Sequence, residues 1–83
     1  MPSGTITVKA AVGEGTVGGP LGELQAQYPD VKMGSYPQMG KGRLATELVL
    51  RSSDPVRLEE AAGKVRAMVA AAHEKAGIAP PED

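Results

Sequence analysis

The chain has 83 residues, with ten acidic and nine basic side chains, and it contains no Cys, Phe or Trp. That length makes one domain, which buries only about 60–65% of the surface its unfolded chain exposes. Without cysteine there are no disulfides and no thiolate metal sites to support the core. A net charge of −1, with the Lys and Arg scattered among the acids, argues against a polyanion as main partner, because phosphate neutralisation supplies most nucleic-acid affinity.

The core is expected to be poor. Only Tyr28 and Tyr36 are aromatic, so area that large rings would supply must come from Leu, Val, Met and Ala. A domain of this kind is expected to pack against something else. The first residues, Met1-Pro2-Ser3-Gly4, lack the charged and apolar regions of a signal peptide. No apolar run approaches the ~20 residues that span a bilayer, and a cytoplasmic location is expected.

Thr5 to Val12 alternates as a strand does, with Ile6, Val8, Ala10 and Val12 on one face. Gly13-Glu14-Gly15 ends it. Thr16 is the expected N-cap of a helix whose apolar residues are Val17, Leu21, Leu24 and Tyr28. Pro20 fits only a first turn, which predicts a start near Gly18 or Gly19 and an end before Pro29. Val31 to Tyr36 reads as a short edge strand, weakened by Gly34 and Pro37 and carrying Lys32. A hairpin containing Gly40, Lys41, Gly42 and Arg43 follows.

Arg43 to Arg51 reads as the central strand. Leu44, Leu48 and Leu50 share one face, and Ala45 and Val49 keep the other from being polar. Asp54 then caps a second helix that opens with Pro55. Its stripe is Leu58, Ala61, Ala62, Val65, Met68, Val69 and Ala72, with Glu60 and Lys64 as an i,i+4 pair and Gly77 as the stop.

The order β-α-β-β-α predicts an α+β two-layer sandwich. Its three-stranded mixed sheet has order 1-3-2 and both helices on one face, like a ferredoxin-like unit missing its last strand. The opposite face, carrying Ala11, Val49 and Tyr36, is expected to stay open as a docking surface. Residues 5–77 form the domain, with 1–4 as an artificial or disordered start and 78–83 as a disordered tail.

Reactive clusters are few. His73, the only histidine, reads as an exposed helix-end residue rather than a ligand or general base. Glu59-Glu60 is adjacent in sequence and not a dyad, and Ser52-Ser53-Asp54 reads as a cap. Gly13 to Gly18 matches G-x-G-x-x-G formally, but Glu14 would sit where a pyrophosphate sits, so a plain strand-to-helix turn is preferred. Gly40-Lys41-Gly42-Arg43 is GxG, not the GxxG of KH domains, and it joins two strands.

YPDVKMGSYP (Tyr28–Pro37), LVLRSSDP (Leu48–Pro55) and the Leu58/Ala61/Ala62/Val65 helix together resemble the C-terminal module of the molybdopterin-binding-domain family. Within it they are similar to the competence/damage-inducible protein A (CinA-like) group, whose relatives include the domain attached to FAD synthases. The resemblance runs from about Thr7 to Val69, and Gly34, Ser35, Tyr36 and Pro37 match the GSYP signature.

The resemblance implies a non-catalytic accessory or oligomerisation domain. Its parent would be a molybdopterin- or nucleotide-binding protein linked to nucleotide pyrophosphatase or molybdenum-cofactor chemistry. It implies no catalytic, cofactor-binding or metal-binding residue in this chain, with molybdopterin or nucleotide held by a preceding α/β domain. That domain, a second copy, or both would be the partner, met through a surface that includes Ser35, Tyr36, Pro37, Lys41 and Arg43. A weak KH-like RNA- or nucleotide-binding module is the alternative.

Overall fold

A computed structural model describes residues 4–40 and 43–79. The elements are β1 (Gly4–Ala10), α1 (Glu14–Gln27), β2 (Lys32–Gly40), β3 (Arg43–Ser52) and α2 (Pro55–Ala76). The sheet order is β1-β3-β2, as expected. Both neighbouring pairs are antiparallel, so the sheet is antiparallel and not the mixed one expected: β1 and β2 run parallel to each other, but β3 separates them. The hydrophobic strand β3 lies between them.

The register sorts the side chains into two faces. Ile6, Val8 and Ala10 of β1 stand opposite Leu50, Leu48 and Thr46 of β3, and these in turn oppose Met33, Ser35 and Pro37 of β2. This row packs under both helices. Leu48, Leu50, Val17, Val31, Val65 and Val69 are fully buried there. Tyr28 is also buried, so one of the two aromatic rings serves the core.

Helix α2 follows its sequence closely. The Asp54 carboxylate accepts from the Val56 and Arg57 amides at 3.0 and 3.2 Å. Pro55 occupies the first turn, where its missing N–H costs nothing. At the other end Gly77 has φ 71°, the left-handed conformation that favours glycine. There the Ile78 amide donates to the His73 carbonyl at 2.8 Å, closing the turn.

Helix α1 departs from its sequence. It starts at Glu14 with Gly13 as N-cap and no side-chain cap. The Thr16 amide donates to the Gly13 carbonyl at 3.0 Å, so Thr16 lies inside the first turn instead of capping it. Pro20 is interior. The reason is packing: Val17 and Leu21 must both reach the core, and only continuous helix places them on one face. Pro20 is exposed, and the preceding Gly18 and Gly19 offer its ring no side-chain obstruction.

Strand β2 also extends past its predicted end, through Pro37 to Gly40. An edge strand needs its amides on one side only, so a proline whose position faces outward is tolerated. Pro37, just past the predicted end, therefore belongs to the strand. The prediction on Lys41 falls outside the described residues.

The α1–β2 connection is held by one carboxamide. Gln25 donates from Nε2 to the carbonyls of Tyr28 (3.0 Å) and Val31 (2.7 Å), and its Oε1 accepts from the Met33 amide at 2.8 Å. Three backbone groups that neither helix nor sheet could satisfy are thus paired.

Candidate docking surface

The sheet face away from the helices carries the other half of each strand. In register, its rows are Thr5–Arg51–Lys32, Thr7–Val49–Gly34 and Lys9–Glu47–Tyr36, followed by Ala45 beside Gln38. No described element covers them. Tyr36 is 55% exposed. Its ring folds back along its own strand over Gly34: a Cβ there would meet Tyr36 Cε1 and Oη at 3.2 Å. An open depression of about 250 Å³, lined by Lys32, Met33, Gly34, Tyr36, Val49 and Arg51, runs beside the ring.

Charge on this face is lopsided. Lys32 and Arg51 are directly opposed across β2 and β3, an arrangement that is mildly unfavourable by itself. Among the described residues the ion pairs are Arg57 with Asp30 and with Glu60; neither Lys32 nor Arg51 takes part in one.

The residues named from the sequence are not gathered together. Tyr36 lies on the open face. Ser35 and Pro37 belong to the opposite, helix-side row with Leu48 and Thr46, because neighbours along a strand point to opposite faces. Arg43 is the first residue of β3, paired with Gly40 at the hairpin end. Lys32 and Arg51 reach the open face beside Tyr36, and strand register could have placed them there had β2 been given its full length.

A polar cluster lies elsewhere, between the α1–β2 turn and α2. Arg57 pairs with Asp30 through two bonds, Nε–Oδ2 at 2.8 Å and Nη2–Oδ1 at 3.1 Å. The guanidinium also reaches Glu60 Oε2 at 3.2 Å and sits 4.5 Å from the centroid of the Tyr28 ring. The Tyr28 hydroxyl donates to the same Glu60 oxygen at 2.9 Å. Glu60 is therefore engaged with Tyr28 and Arg57 instead of forming the predicted pair with Lys64, whose side chain borders α1 with Pro20, Leu24 and Met68.

The bond from Arg57 holds the Asp30 carboxyl below the usual aspartate range, and it raises Arg57 in return. The hydrogen bond to Glu60 pushes the Tyr28 hydroxyl up. A carboxyl whose pKa is depressed on folding adds stability above its unfolded value, and that stability is lost as pH falls through the folded one. Acid unfolding of the wild type should therefore show a component below about pH 4 that Asp30→Asn lacks. Urea midpoints measured between neutral and acid pH check this; a parallel decline in both proteins refutes it.

His73 is a correction to the sequence reading. It is buried, 3% exposed, where an exposed helix end was expected. Its Nε2 accepts from the Ala11 amide at 2.9 Å, and Nδ1 lies 2.8 Å from the Ala79 carbonyl. An acceptor at Nε2 requires the hydrogen on Nδ1, which donates to Ala79. The ring joins the end of β1 to the segment beyond α2, and both its nitrogens are used in doing so. The sequence held one signal for this: His73 follows Val69 by four and so continues the apolar stripe Leu58, Ala62, Val65, Val69 of α2, although its backbone partners could not be read.

The G-x-G-x-x-G stretch makes no phosphate loop. Gly13 is the N-cap, and Gly15 and Gly18 lie inside α1, so the turn from β1 is too short to wrap an anion. Among the described residues no three His, Asp or Glu side chains cluster to hold a metal ion. None of the described helices is long and apolar enough to cross a membrane.

These features define a small α+β module with one helix-covered face and one open face. The chain belongs to the family described as FAD synthase, middle domain, which matches residues 2–76. The match falls on the FAD synthase side of the resemblance. No curated protein and no solved structure matches the chain.

Proposed function

We propose that this chain is a non-catalytic accessory domain of a larger, FAD-synthase-like protein, docking on a neighbouring domain through its open sheet face. The observation that carries the reading is the exposed Tyr36 ring, folded over Gly34 on a face no described element covers. Membership of a family described as a middle domain supports it, as does the mutual engagement of the titratable cluster around Arg57. Molybdopterin or nucleotide chemistry, in this reading, belongs to other parts of the parent.

The alternative, a weak RNA- or nucleotide-binding module, now draws on Lys32 and Arg51 flanking an aromatic plate. One titration separates the two. An isotopically labelled chain is titrated in turn with the remaining domains of the parent, with ATP and FAD, and with a short single-stranded RNA. Docking predicts amide shifts at Thr7, Gly34, Tyr36 and Val49 with the parent domains, abolished by Tyr36→Glu. Saturable micromolar binding of nucleotide, or salt-dependent RNA binding lost in Arg51→Glu, overturns it.

A further inference from the structure

The two outer edges of the sheet are unlike. The β2 edge carries devices that block strand addition, a proline at position 37 and a lysine at position 32. The β1 edge shares only the second of these, as Lys9. Its seven residues, GTITVKA, are regular, contain no proline, and pair only with β3 among the described residues. Ile6 points the same way. It belongs to the row that includes Val8 and Ala10, yet those two are buried and Ile6 is only half-buried.

We infer that the β1 edge pairs with β1 of a second copy, antiparallel about a two-fold axis, to make one six-stranded sheet. The pairing that uses all seven residues sets Thr7 opposite Thr7, Thr5 opposite Lys9, Ile6 opposite Val8 and Gly4 opposite Ala10. Each property of the edge suits that register. Lys9 meets Thr5 and never another Lys9, so no like charges oppose each other. Two Thr side chains meet at the axis, a favourable cross-strand pair. On the helix side Ile6 and Val8 cover one another.

Helix α2 permits the approach. It lies along β1, with Leu58 beside Gly4 at one end and His73 bonded to Ala11 at the other. Lys64 and Met68 border α1. The opposite flank carries Glu59, Gly63, Arg66 and Ala70, all exposed; Gly63 and Ala70 are small, leaving room between the two charged residues for an antiparallel neighbour.

The test uses the chain's lack of cysteine. Directly opposed residues have Cα atoms about 4.5–5.5 Å apart, within disulfide reach. Thr7→Cys should give a disulfide-linked dimer on oxidation. Thr5→Cys alone should not, whereas Thr5→Cys mixed with Lys9→Cys should. Sedimentation equilibrium of the wild type should give a mass near twice the 8.5 kDa of one chain. Thr7→Lys, on the exposed open face, should weaken the dimer at least tenfold, as should Thr7→Glu, and an equimolar mixture of the two should restore it. A wild type that stays monomeric at its highest soluble concentration overturns the inference, as does a dimer indifferent to both charge changes. Tyr36→Glu should leave the dimer intact, so failure here and failure of the docking reading are told apart.

Discussion

Replacing His73 with Ala should cost about 2–4 kcal/mol, read as a lowered urea midpoint with an unchanged slope. The imidazole is buried and bridges two backbone groups that no other described group pairs, the Ala11 amide and the Ala79 carbonyl. Truncation leaves the part-buried Ala11 N–H without its acceptor and opens a void under the end of β1, two losses of about 1 kcal/mol or more each. His73→Gln, which can present both a donor and an acceptor, should recover part of the loss. If His73→Ala melts within about 0.5 kcal/mol of wild type, a surface range, the bridge contributes nothing and the ring is merely accommodated.

Leu48→Ala should be more damaging still, at about 3–5 kcal/mol. Leu48 is fully buried at the middle of β3, between Val8 on one side and Ser35 on the other. Neither cross-strand neighbour can grow into the space. A domain of this length has on the order of 4–12 kcal/mol in total, so the variant should approach unfolding at physiological temperature. Circular dichroism and denaturant melts measure this. A loss below about 1.5 kcal/mol, the range of volume-conserving swaps, would mean that the core repacks freely.

Much of the architecture was legible in the residues. Sheet order followed from one comparison, the near-continuous apolarity of Leu48–Val49–Leu50 against the Gly34/Pro37-weakened Lys32–Tyr36 stretch. Asp54-Pro55 and Gly77 marked the two ends of α2 because both act through local backbone chemistry. The start of α1 was misjudged because Pro20 weighed more in the sequence than the burial of Val17 and Leu21 does in the fold. The end of β2 was misjudged because a missing N–H costs nothing on the outer side of an edge strand, which is where Pro37 has it.

The surface was less legible than the core. Ser35, Tyr36 and Pro37 form one motif in sequence, yet the pleat sends Tyr36 to one face and its two neighbours to the other. Lys32 and Arg51 come together only through the β2–β3 register. The Tyr28–Asp30–Arg57–Glu60 cluster joins a turn to a helix 27 positions further along the chain, a separation no local pattern encodes. The partners of His73 were hidden for the same reason, although its spacing of four from Val69 marked the buried face of α2.

The Tyr36 ring, held against Gly34, has a consequence for association. Immobilising a side chain at an interface ordinarily costs about 0.5–1.5 kcal/mol of conformational entropy. Here the ring already rests over Gly34, so a domain docking on this face, as proposed, would meet a partly preorganised aromatic anchor and lose less rotamer freedom on contact.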